Sequence, residues 1–271
     1  MRRKDFLKTA SPLFLLLVNG NVINATKQWD YWMKRKPILR FALVSDIHYG
    51  EPKTDYNMFL KTLIWKINTA HSKKPLDFCV LNGDIVHDDP KFYPSVKPIV
   101  GQLKMKWHVT PGNHDKITPD EWMQIWDTPV NFDFRIKNSV FLAGTTSNEK
   151  GKYTCPNLSW FQEKLETYKE AKNLFVINHI NTAKLTKHGI DCPEYIDLLK
   201  KYDNVRAVFN GHDHDEDGIK KHREIPFVFD AHAGGSWGTD YKGFRVVELM
   251  KDNSILTYMM NPDTPINNAT L

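Results

Sequence analysis

Five short polar motifs in this sequence carry the residue types that most often bind divalent metal ions. Aspartate and asparagine offer oxygen atoms and histidine offers ring nitrogen atoms, and sites of this mixed character suit transition metals. In chain order the motifs are Asp46-Ile47-His48, Gly83-Asp84, Gly112-Asn113-His114-Asp115, His179 and Gly211-His212-Asp213-His214. Their order along the chain suggests a metal site assembled from several loops.

Leaving His114 aside, the motifs supply two carboxylates, one amide oxygen and four imidazoles as candidate ligands. These are Asp46, His48, Asp84, Asn113, His179, His212 and His214. The set is too large for one ion with tetrahedral coordination. It suits two ions about 3.5–4 Å apart that share one carboxylate, because each ion then has four ligands. We take Asp84 as the shared carboxylate.

The elements that must position these motifs alternate between short apolar strands and amphipathic helices from residue 39 onward. This alternation predicts an α/β fold with an at least partly parallel sheet. Each motif follows a predicted strand by at most a few residues, where ligands gather in α/β proteins. In the Asp-x-His and His-x-His spacings, residues i and i+2 can both turn inward, and the neighbouring glycines let the backbone come close.

The apolar pattern predicts four helices and eleven strands. The helices are Asp55–His71, Pro119–Asp127, Leu158–Ala171 and Pro193–Lys201. The strands are Ile38–Ser45, Asp77–Leu81, Trp107–Thr110, Phe132–Ile136, Val140–Leu142, Leu174–Ile177, Val205–Phe209, Ile219–His222, Ile225–Phe229, Phe244–Leu249 and Ile255–Met260. We expect a hairpin at Lys137-Asn138, and a second sheet in which the last four strands are successive and antiparallel.

Each motif alone has an ordinary structural explanation. A lone His-x-His is more often a solvated turn than a ligand pair, Gly83-Asp84 alone is a turn signal, and His179 alone is typical of a structural histidine. The five motifs together favour a functional site, because so many polar groups at buried strand ends would otherwise destabilise the fold.

The order of the five motifs resembles the signature of the calcineurin-like metallophosphoesterases over about residues 38–214. This resemblance implies two mixed β-sheets packed as a sandwich and flanked by helices. It also implies that His114 is not a ligand but assists the leaving group, with Asp115 holding its ring. One metal would take Asp46, His48, Asp84 and His214, and the other Asp84, Asn113, His179 and His212.

The resemblance implies a metal-dependent hydrolase of phosphate monoesters or phosphodiesters with two divalent transition-metal ions. Manganese, iron and zinc all suit the ligands. Two such ions leave the site net positive, so that it can bind a phosphate and activate a water that attacks phosphorus. Purple acid phosphatases have a tyrosine ligand near the second motif, whereas this sequence has His48 in the first motif and His87 three residues after Asp84. Charge transfer from a tyrosinate to iron is therefore not expected.

The substrate is less well defined by the sequence. Loop residues that could contact it are Tyr49, His87, Asn113, His232 and Trp237. Trp237 lies in the loop Gly234-Gly235-Ser236-Trp237-Gly238 and could stack on a base or sugar, although a surface turn with a packed tryptophan is the alternative. The alternatives to a phosphoester hydrolase are a non-catalytic metal-binding scaffold on the same fold and a nuclease.

The composition is that of a folded globular protein. Of 271 residues, 41% are apolar and 25% are charged, which excludes wholesale disorder, a collagen-like chain and a multispanning membrane protein. The length fits one or two domains. Because the sequence contains no internal repeat and no Pro/Ser-rich linker, we expect a single domain over residues 26–271.

The N-terminal 25 residues have the three-part layout of a secretory signal peptide. Basic residues precede the apolar run Leu13–Val18, and Asn24-Ala25 provides a cleavage site. We therefore expect an exported protein, periplasmic or secreted, with a small phosphoester as its partner. The segment resembles a twin-arginine export signal, but Arg3-Lys4 stands where that motif has two arginines. The alternative to a signal peptide is an amphipathic helix that is kept in the mature protein.

Charge and cysteine content narrow the function further. Without the four basic residues and one acidic residue of this segment, the net charge falls from +5 to +2, which does not favour a nucleic-acid surface. The three cysteines have no metal-ligand spacing. Cys79 lies in an apolar run, whereas Cys155 and Cys192 could pair in an oxidising compartment.

Overall fold

The computed structural model describes residues 15–18, 21–24, 35–261 and 264–271. Within residues 1–25, strands β1 (Leu15–Val18) and β2 (Asn21–Asn24) pair antiparallel, and the expected cleavage site at Ala25 lies outside the described residues. In the part of the chain that is described, no helix is long and apolar enough to cross a membrane.

Two six-stranded mixed sheets form the body of the protein. Their strands are β3 (Leu39–Val44), β4 (Phe78–Asn82), β5 (Lys106–Thr110), β6 (Phe132–Ile136), β7 (Ser139–Ala143), β8 (Asn173–Ile177), β9 (Val205–Asn210), β10 (Ile219–His222), β11 (Ile225–Phe229), β12 (Phe244–Leu249), β13 (Ile255–Asn261) and β14 (Thr264–Thr270). One sheet has the order β14-β13-β12-β3-β4-β5 and the other β10-β11-β9-β8-β7-β6.

Helices cover the outer faces of both sheets. They are α1 (Tyr56–Lys73), α2 (Tyr93–Val100), α3 (Pro119–Trp126), α4 (Leu158–Thr167) and α5 (Pro193–Lys200), and a single 3₁₀ turn spans Pro90–Phe92. Buried side chains of α1–α3 pack on the first sheet, and those of α4 and α5 pack on the second. The predicted α/β fold, a sandwich of two mixed sheets flanked by helices, is confirmed.

Stacked phenylalanines fill the space between the sheets. Phe41 of β3 lies 4.8 Å from Phe78 in its own sheet and meets Phe141, Phe175 and Phe209 of the other sheet edge-on. All five are buried. Because side chains alternate along a strand, residues such as Ala42 face the helices instead.

The last four strands form two antiparallel pairs, β10 with β11 and β12 with β13, but the expectation that they make up one sheet was wrong. Strands β10 and β11 extend the second sheet, and β11 runs parallel to β9. Strands β12 and β13 belong to the first sheet, where β12 pairs antiparallel with β3. The chain crosses between the sheets in residues 230–243, and a local apolar pattern carries no information about which distant strand becomes the partner.

Within the two-sheet body, one α-helix and one strand were missing from the sequence prediction. Helix α2 contains Pro94 and Pro98, which count against a helix, yet Pro94 sits in the first turn, where no amide donor is needed. Strand β14 contains Pro265 and lies at a sheet edge, the position in which proline is tolerated. The predicted hairpin at Lys137-Asn138 is present between β6 and β7.

Candidate metal centre

All five motifs lie at the carboxyl ends of parallel strands. Strands β3, β4 and β5 run parallel in one sheet, and β8 and β9 in the other. Backbone hydrogen bonds join the loops, since Asp46 N donates to Gly83 O (3.1 Å) and Gly211 N donates to His179 O (3.0 Å). Between the two sheets, His212 N donates to Asp46 Oδ2 (2.8 Å), so the motifs of both sheets lie at one common edge.

Four site residues have a backbone conformation that is rare outside glycine. Asp46, His48, Asp84 and His212 have φ values of 56°, 47°, 52° and 66°. Such strain persists only where the surroundings enforce it, and it concentrates at functional sites. Here it turns the side chains off the strand ends toward one another.

Two glycines allow the loops to approach the carboxylates. A Cβ at Gly112 would lie 2.2 Å from Asp84 Oδ1, and a Cβ at Gly211 would lie 2.7 Å from Asp46 Oδ2. Any side chain at either position would displace a carboxylate. These are the close approaches for which glycine is needed.

Two groups of buried ligand atoms result. In the first, the Nε2 atom of His214 lies 3.1 Å from Asp46 Oδ1 and 3.0 Å from His48 Nε2. In the second, Asp84 Oδ2 lies 3.1 Å from His179 Nε2, and His212 completes the group. Within each group one ligand atom per residue lies within 4.8 Å of the others.

Asp84 lies between the two groups. Its Oδ2 atom is 3.6 Å from His48 Nε2 of the first group as well as 3.1 Å from His179 Nε2 of the second. Its Oδ1 atom accepts a hydrogen bond from the backbone amide of His114 (2.8 Å). One carboxylate thus reaches both groups, which is the arrangement expected of a shared ligand.

Unsatisfied buried atoms test whether metal ions fit this site. Asn113 Oδ1 and His212 Nε2 are buried and have no hydrogen-bond partner within the described part of the chain. A buried polar atom without a partner destabilises a fold by about 1–3 kcal/mol. A divalent cation would satisfy both atoms and neutralise the neighbouring carboxylates, so the residues present fit such ions.

Outer contacts orient the candidate ligand rings. His179 Nδ1 lies 2.7 Å from the carbonyl oxygen of Asn82, and His214 Nδ1 lies 3.1 Å from that of Trp237. Because a carbonyl can only accept, each Nδ1 carries a proton, and Nε2 is the nitrogen that faces the site. Histidine ligands of metals are commonly held in this way.

The charges of the site compensate one another when no ion is bound. Burial lowers the pKa of His179, but Asp84 and Asp46 outweigh burial and raise that pKa to about 10. Burial raises the pKa of Asp84, but His179 and His48 outweigh it and lower that pKa. Burial and then His179 lower the pKa of His212 to about 4, so its ring is neutral near pH 7.

Metal binding to the ion-free protein is therefore expected to release at least one proton near pH 7. His179 holds that proton and must lose it before its Nε2 can bind a metal. Below the pKa of His179, each unit of pH gained should lower the apparent dissociation constant by about tenfold per released proton. Calorimetric titration with Mn²⁺ in buffers of different ionisation enthalpy counts the protons.

His179→Ala should reduce this release by one proton, whereas His222→Ala, which changes a half-buried histidine on β10, should leave it unchanged. Metal binding by the wild type without proton release at pH 7 would contradict the assignment of His179.

The structure corrects the expected partner of His114. His114 Nδ1 lies 2.9 Å from Asp88 Oδ1, which also pairs with Lys116 Nζ at 2.8 Å. Burial raises the pKa of Asp88, but Lys116 and His114 outweigh it, lower that pKa and keep Asp88 ionised. The sequence prediction did not include Asp88 as the partner of His114, although it follows Asp84 by four residues in the same loop.

Asp115 does not hold the ring of His114. Its carboxylate is fully buried and accepts hydrogen bonds from the backbone amides of Ile85, Val86 and Gly112 and from the Tyr93 hydroxyl. Every one of these donors belongs to the loops around Asp84 and Asn113 or to α2. Asp115 therefore joins the loops that carry two of the candidate ligands.

Two of the expected substrate contacts lie at the site. His87 Nδ1 is 3.0 Å from His48 Nδ1, and its ring is stacked on that of His114 with centroids 5.1 Å apart. Trp237 is 46% exposed and is stacked on His214 at 4.2 Å. It lies at the rim and is not the packed tryptophan of the alternative interpretation.

Two other expected substrate contacts, Tyr49 and His232, have buried side chains that do not face the site. Tyr49 is only 6% exposed, and its ring packs in the core against Tyr56 and Phe92. His232 is 1% exposed, with one ring nitrogen on the carbonyl of Gly234 and the other on that of Thr239. Their place in the sequence, next to site loops, does not disclose that the side chains turn inward.

Comparison with known proteins identifies the family. The model of the calcineurin-like phosphoesterases matches residues 39–216, which contain all five motifs. The chain belongs to this family. The predicted family and the predicted enzyme class, a metal-dependent phosphoesterase, are thereby confirmed.

Two curated relatives of this calcineurin-like phosphoesterase are named as phosphodiesterases. A probable cyclic nucleotide phosphodiesterase of Coxiella burnetii is 25% identical over 194 residues, covering 66% of this chain and 77% of that protein. A probable glycerophosphodiester phosphodiesterase of Arcobacter nitrofigilis is 28% identical over 197 residues, covering 63% and 70%.

Solved structures show the same fold at low sequence identity. A dimetal phosphatase from Danio rerio has a TM-score of 0.66 at 10% identity, with 87% of this chain and 99% of that chain covered. A purple acid phosphatase from yellow lupin has a TM-score of 0.63 at 12% identity, with 86% and 53% covered. These likenesses concern the fold alone.

Proposed function

We propose that this phosphoesterase hydrolyses small-molecule phosphodiesters with two divalent transition-metal ions, which are manganese, iron or zinc. The observation that carries the proposal is the position of Asp84 between two buried groups of ligand atoms. One ion would be held by Asp46, His48, Asp84 and His214, and the other by Asp84, Asn113, His179 and His212. The names of the two curated relatives favour diesters over monoesters.

The bound ions supply positive charge that binds the phosphate and lowers the pKa of water. The chain's own residues supply the rest. Asn113 would hold one ion beside the phosphate, and His87, whose ring is stacked on that of His114, would contact the substrate. His114 donates a proton from Nε2 to the leaving oxygen, while Asp88 holds its Nδ1.

A substrate panel tests this proposal. Purified protein is stripped of metal, reconstituted separately with Mn²⁺, Fe²⁺ and Zn²⁺, and assayed on a glycerophosphodiester, a cyclic nucleotide and the matching monoesters. We expect kcat/KM to be higher for a diester than for its monoester with at least one metal. Hydrolysis of the monoesters alone, or of none of these compounds, would contradict the proposal.

We further propose that residues 1–25 are an export signal and that residues 26–271 form one mature domain in the periplasm or outside the cell. Cys155 and Cys192 support export, because they form a disulfide with Cα atoms 5.8 Å apart. Structural disulfides persist in oxidising compartments and are rare in the cytosol. The first 25 residues support the same proposal, because their basic, apolar and small-residue regions follow the order of a signal peptide.

Mass spectrometry of the exported protein should therefore give an N-terminus near Thr26 and a mass that includes the Cys155–Cys192 bond. Replacement of Arg3-Lys4 by Lys-Lys distinguishes twin-arginine export from the general export route, because only twin-arginine export depends on that arginine. A correctly localised protein that retains Met1 would refute the signal.

A further inference from the structure

Three aromatic rings that the proposed metal ligation does not use form a row along the rim of the site. Tyr153 lies edge-on to His212 with ring centroids 5.0 Å apart, and Trp237 is stacked on His214. The ring of His188 closes the gap, because it lies 6.1 Å from His212 and 5.9 Å from Trp237. Trp237 and Tyr153 are 46% and 38% exposed, so this row, here called the aromatic wall, faces solvent.

A covalent bond fixes one half of the aromatic wall. Tyr153 lies in the loop between β7 and α4, and His188 lies in the loop between β8 and α5. The disulfide of Cys155 and Cys192 joins these two loops, two residues after Tyr153 and four residues after His188. The rings are thus positioned before any ligand arrives, which lowers the entropic cost of binding.

Close packing on a candidate ligand fixes the other half. The carbonyl of Trp237 accepts a hydrogen bond from His214 Nδ1, and the amide of Thr239 donates to the His214 carbonyl (3.0 Å). Gly238 has a φ of +123°, and a Cβ there would lie 2.6 Å from His214 Cβ. Only glycine brings this loop, and with it the Trp237 ring, so close to the site.

We propose that the aromatic wall binds the nucleobase of a nucleotide phosphodiester. This inference rests on the proposed phosphodiesterase function and deepens it. Bases stack on exposed aromatic side chains whatever their sequence, because every base has a π-face, and Tyr153 and Trp237 offer the surface for this. A diester of glycerol alone has neither a ring nor a cationic head group and gains nothing from the wall.

The wall receives the group that stays on the phosphate after hydrolysis. The rings of His48 and His214 stand between His114 and Trp237, with successive centroids 4.9, 4.9 and 4.2 Å apart. In-line attack places the water opposite the leaving oxygen, so the organic group retained on phosphorus extends to the side, and Trp237 is the ring farthest from His114 in this row. In 3′,5′-cyclic AMP both ester oxygens belong to one ribose, so the base stays on the product. The product nucleotide, like the substrate, should contact the wall.

The test compares a diester with a base and one without. Trp237→Ala and Tyr153→Ala should each lower kcat/KM for 3′,5′-cyclic AMP by about 5–150-fold, the effect of losing one stacking side chain, mainly through KM. Hydrolysis of glycerophosphoglycerol, which carries neither a ring nor a quaternary ammonium, should fall less than hydrolysis of 3′,5′-cyclic AMP at matched metal content, because stacking is absent there. Trp65→Ala, which removes an exposed tryptophan on α1, is the matched control and should change neither rate.

Binding of the products gives a readout that needs no turnover. Calorimetry on the metal-reconstituted variants, with metal content checked, should show weaker binding of adenosine 5′-phosphate and unchanged binding of glycerol 3-phosphate. Equal losses for both ligands, or no loss for either, would overturn the nucleobase site. If the wild type hydrolyses neither diester, the proposed function fails, while the adenosine 5′-phosphate measurement still decides the role of the wall.

Discussion

Asp84→Ala is expected to abolish hydrolysis and to remove metal from both positions of the site. Asp84 Oδ2 is within 3.6 Å of candidate ligands in both groups, so its loss should weaken the binding of both ions. We expect kcat/KM to fall by more than the roughly 10–100-fold that follows loss of an outer partner of a metal ligand. Elemental analysis should find less than one metal equivalent per chain.

The matched control is Asp203→Ala, which removes an exposed carboxylate between α5 and β9 and should retain activity and metal. Asp84→Asn keeps the size of the side chain and removes its charge, so it separates ligation from packing. Thermal unfolding verifies that each variant is folded. An active Asp84→Ala enzyme, or one that keeps both metals, would refute the shared-ligand role.

His114→Ala is expected to lose activity selectively, according to the leaving group. General acid assistance is typically worth about 10²–10⁴-fold, and it matters most when a poor leaving group needs a proton. The variant should therefore lose a factor in this range on alkyl or nucleoside diesters and much less on a nitrophenyl ester, whose phenolate leaves unprotonated. Metal content should stay near that of the wild type.

Asp88→Asn should show the same selectivity in weaker form, because Asp88 positions the His114 ring through Nδ1 and does not touch the substrate. Asp89→Asn, a change at the neighbouring carboxylate that pairs with Lys91, is the control. A uniform loss on both kinds of ester would place His114 in charge stabilisation instead. Loss of one metal in His114→Ala would make this residue a ligand.

The candidate ligands could be found from the sequence because their signal is local. Each follows a strand whose apolar run is unambiguous, and parallel strands carry their carboxyl ends to the same edge. The sequence therefore indicates which side chains gather there without any knowledge of the sheet order. The family signature added the division into two groups, and Asp84 lies where that division needs a shared carboxylate.

The direction of side chains in the connecting loops could not be predicted from the sequence. Tyr49 and His232 stand next to site loops yet turn into buried surroundings, whereas Tyr153 and His188 reach the rim from loops that no motif marks. Asp88, and not Asp115, pairs with the His114 ring, and it does so from a loop in which both Asp84 and Asp88 have positive φ values, 52° and 62°. Such turns depend on contacts between distant segments.

Strand partners were unpredictable for the same reason. The alternation of apolar residues in β10 to β13 defines strands but fits either sheet, and the choice is made by distant partners such as β3 and β9. Helix α2 was hidden by its prolines, although it supplies the Tyr93 hydroxyl that holds Asp115. Local propensity leaves the strand partners undecided and counts against the helix, and tertiary packing decides in both cases.

The most direct test of the two-metal site is a crystal structure of the metal-reconstituted protein with anomalous diffraction recorded at the absorption edge of the metal. Two anomalous peaks about 3.5–4 Å apart are expected, both in contact with Asp84. One should also contact Asp46, His48 and His214, and the other Asn113, His179 and His212. A single peak, or a second peak that does not contact Asp84, would contradict the binuclear centre.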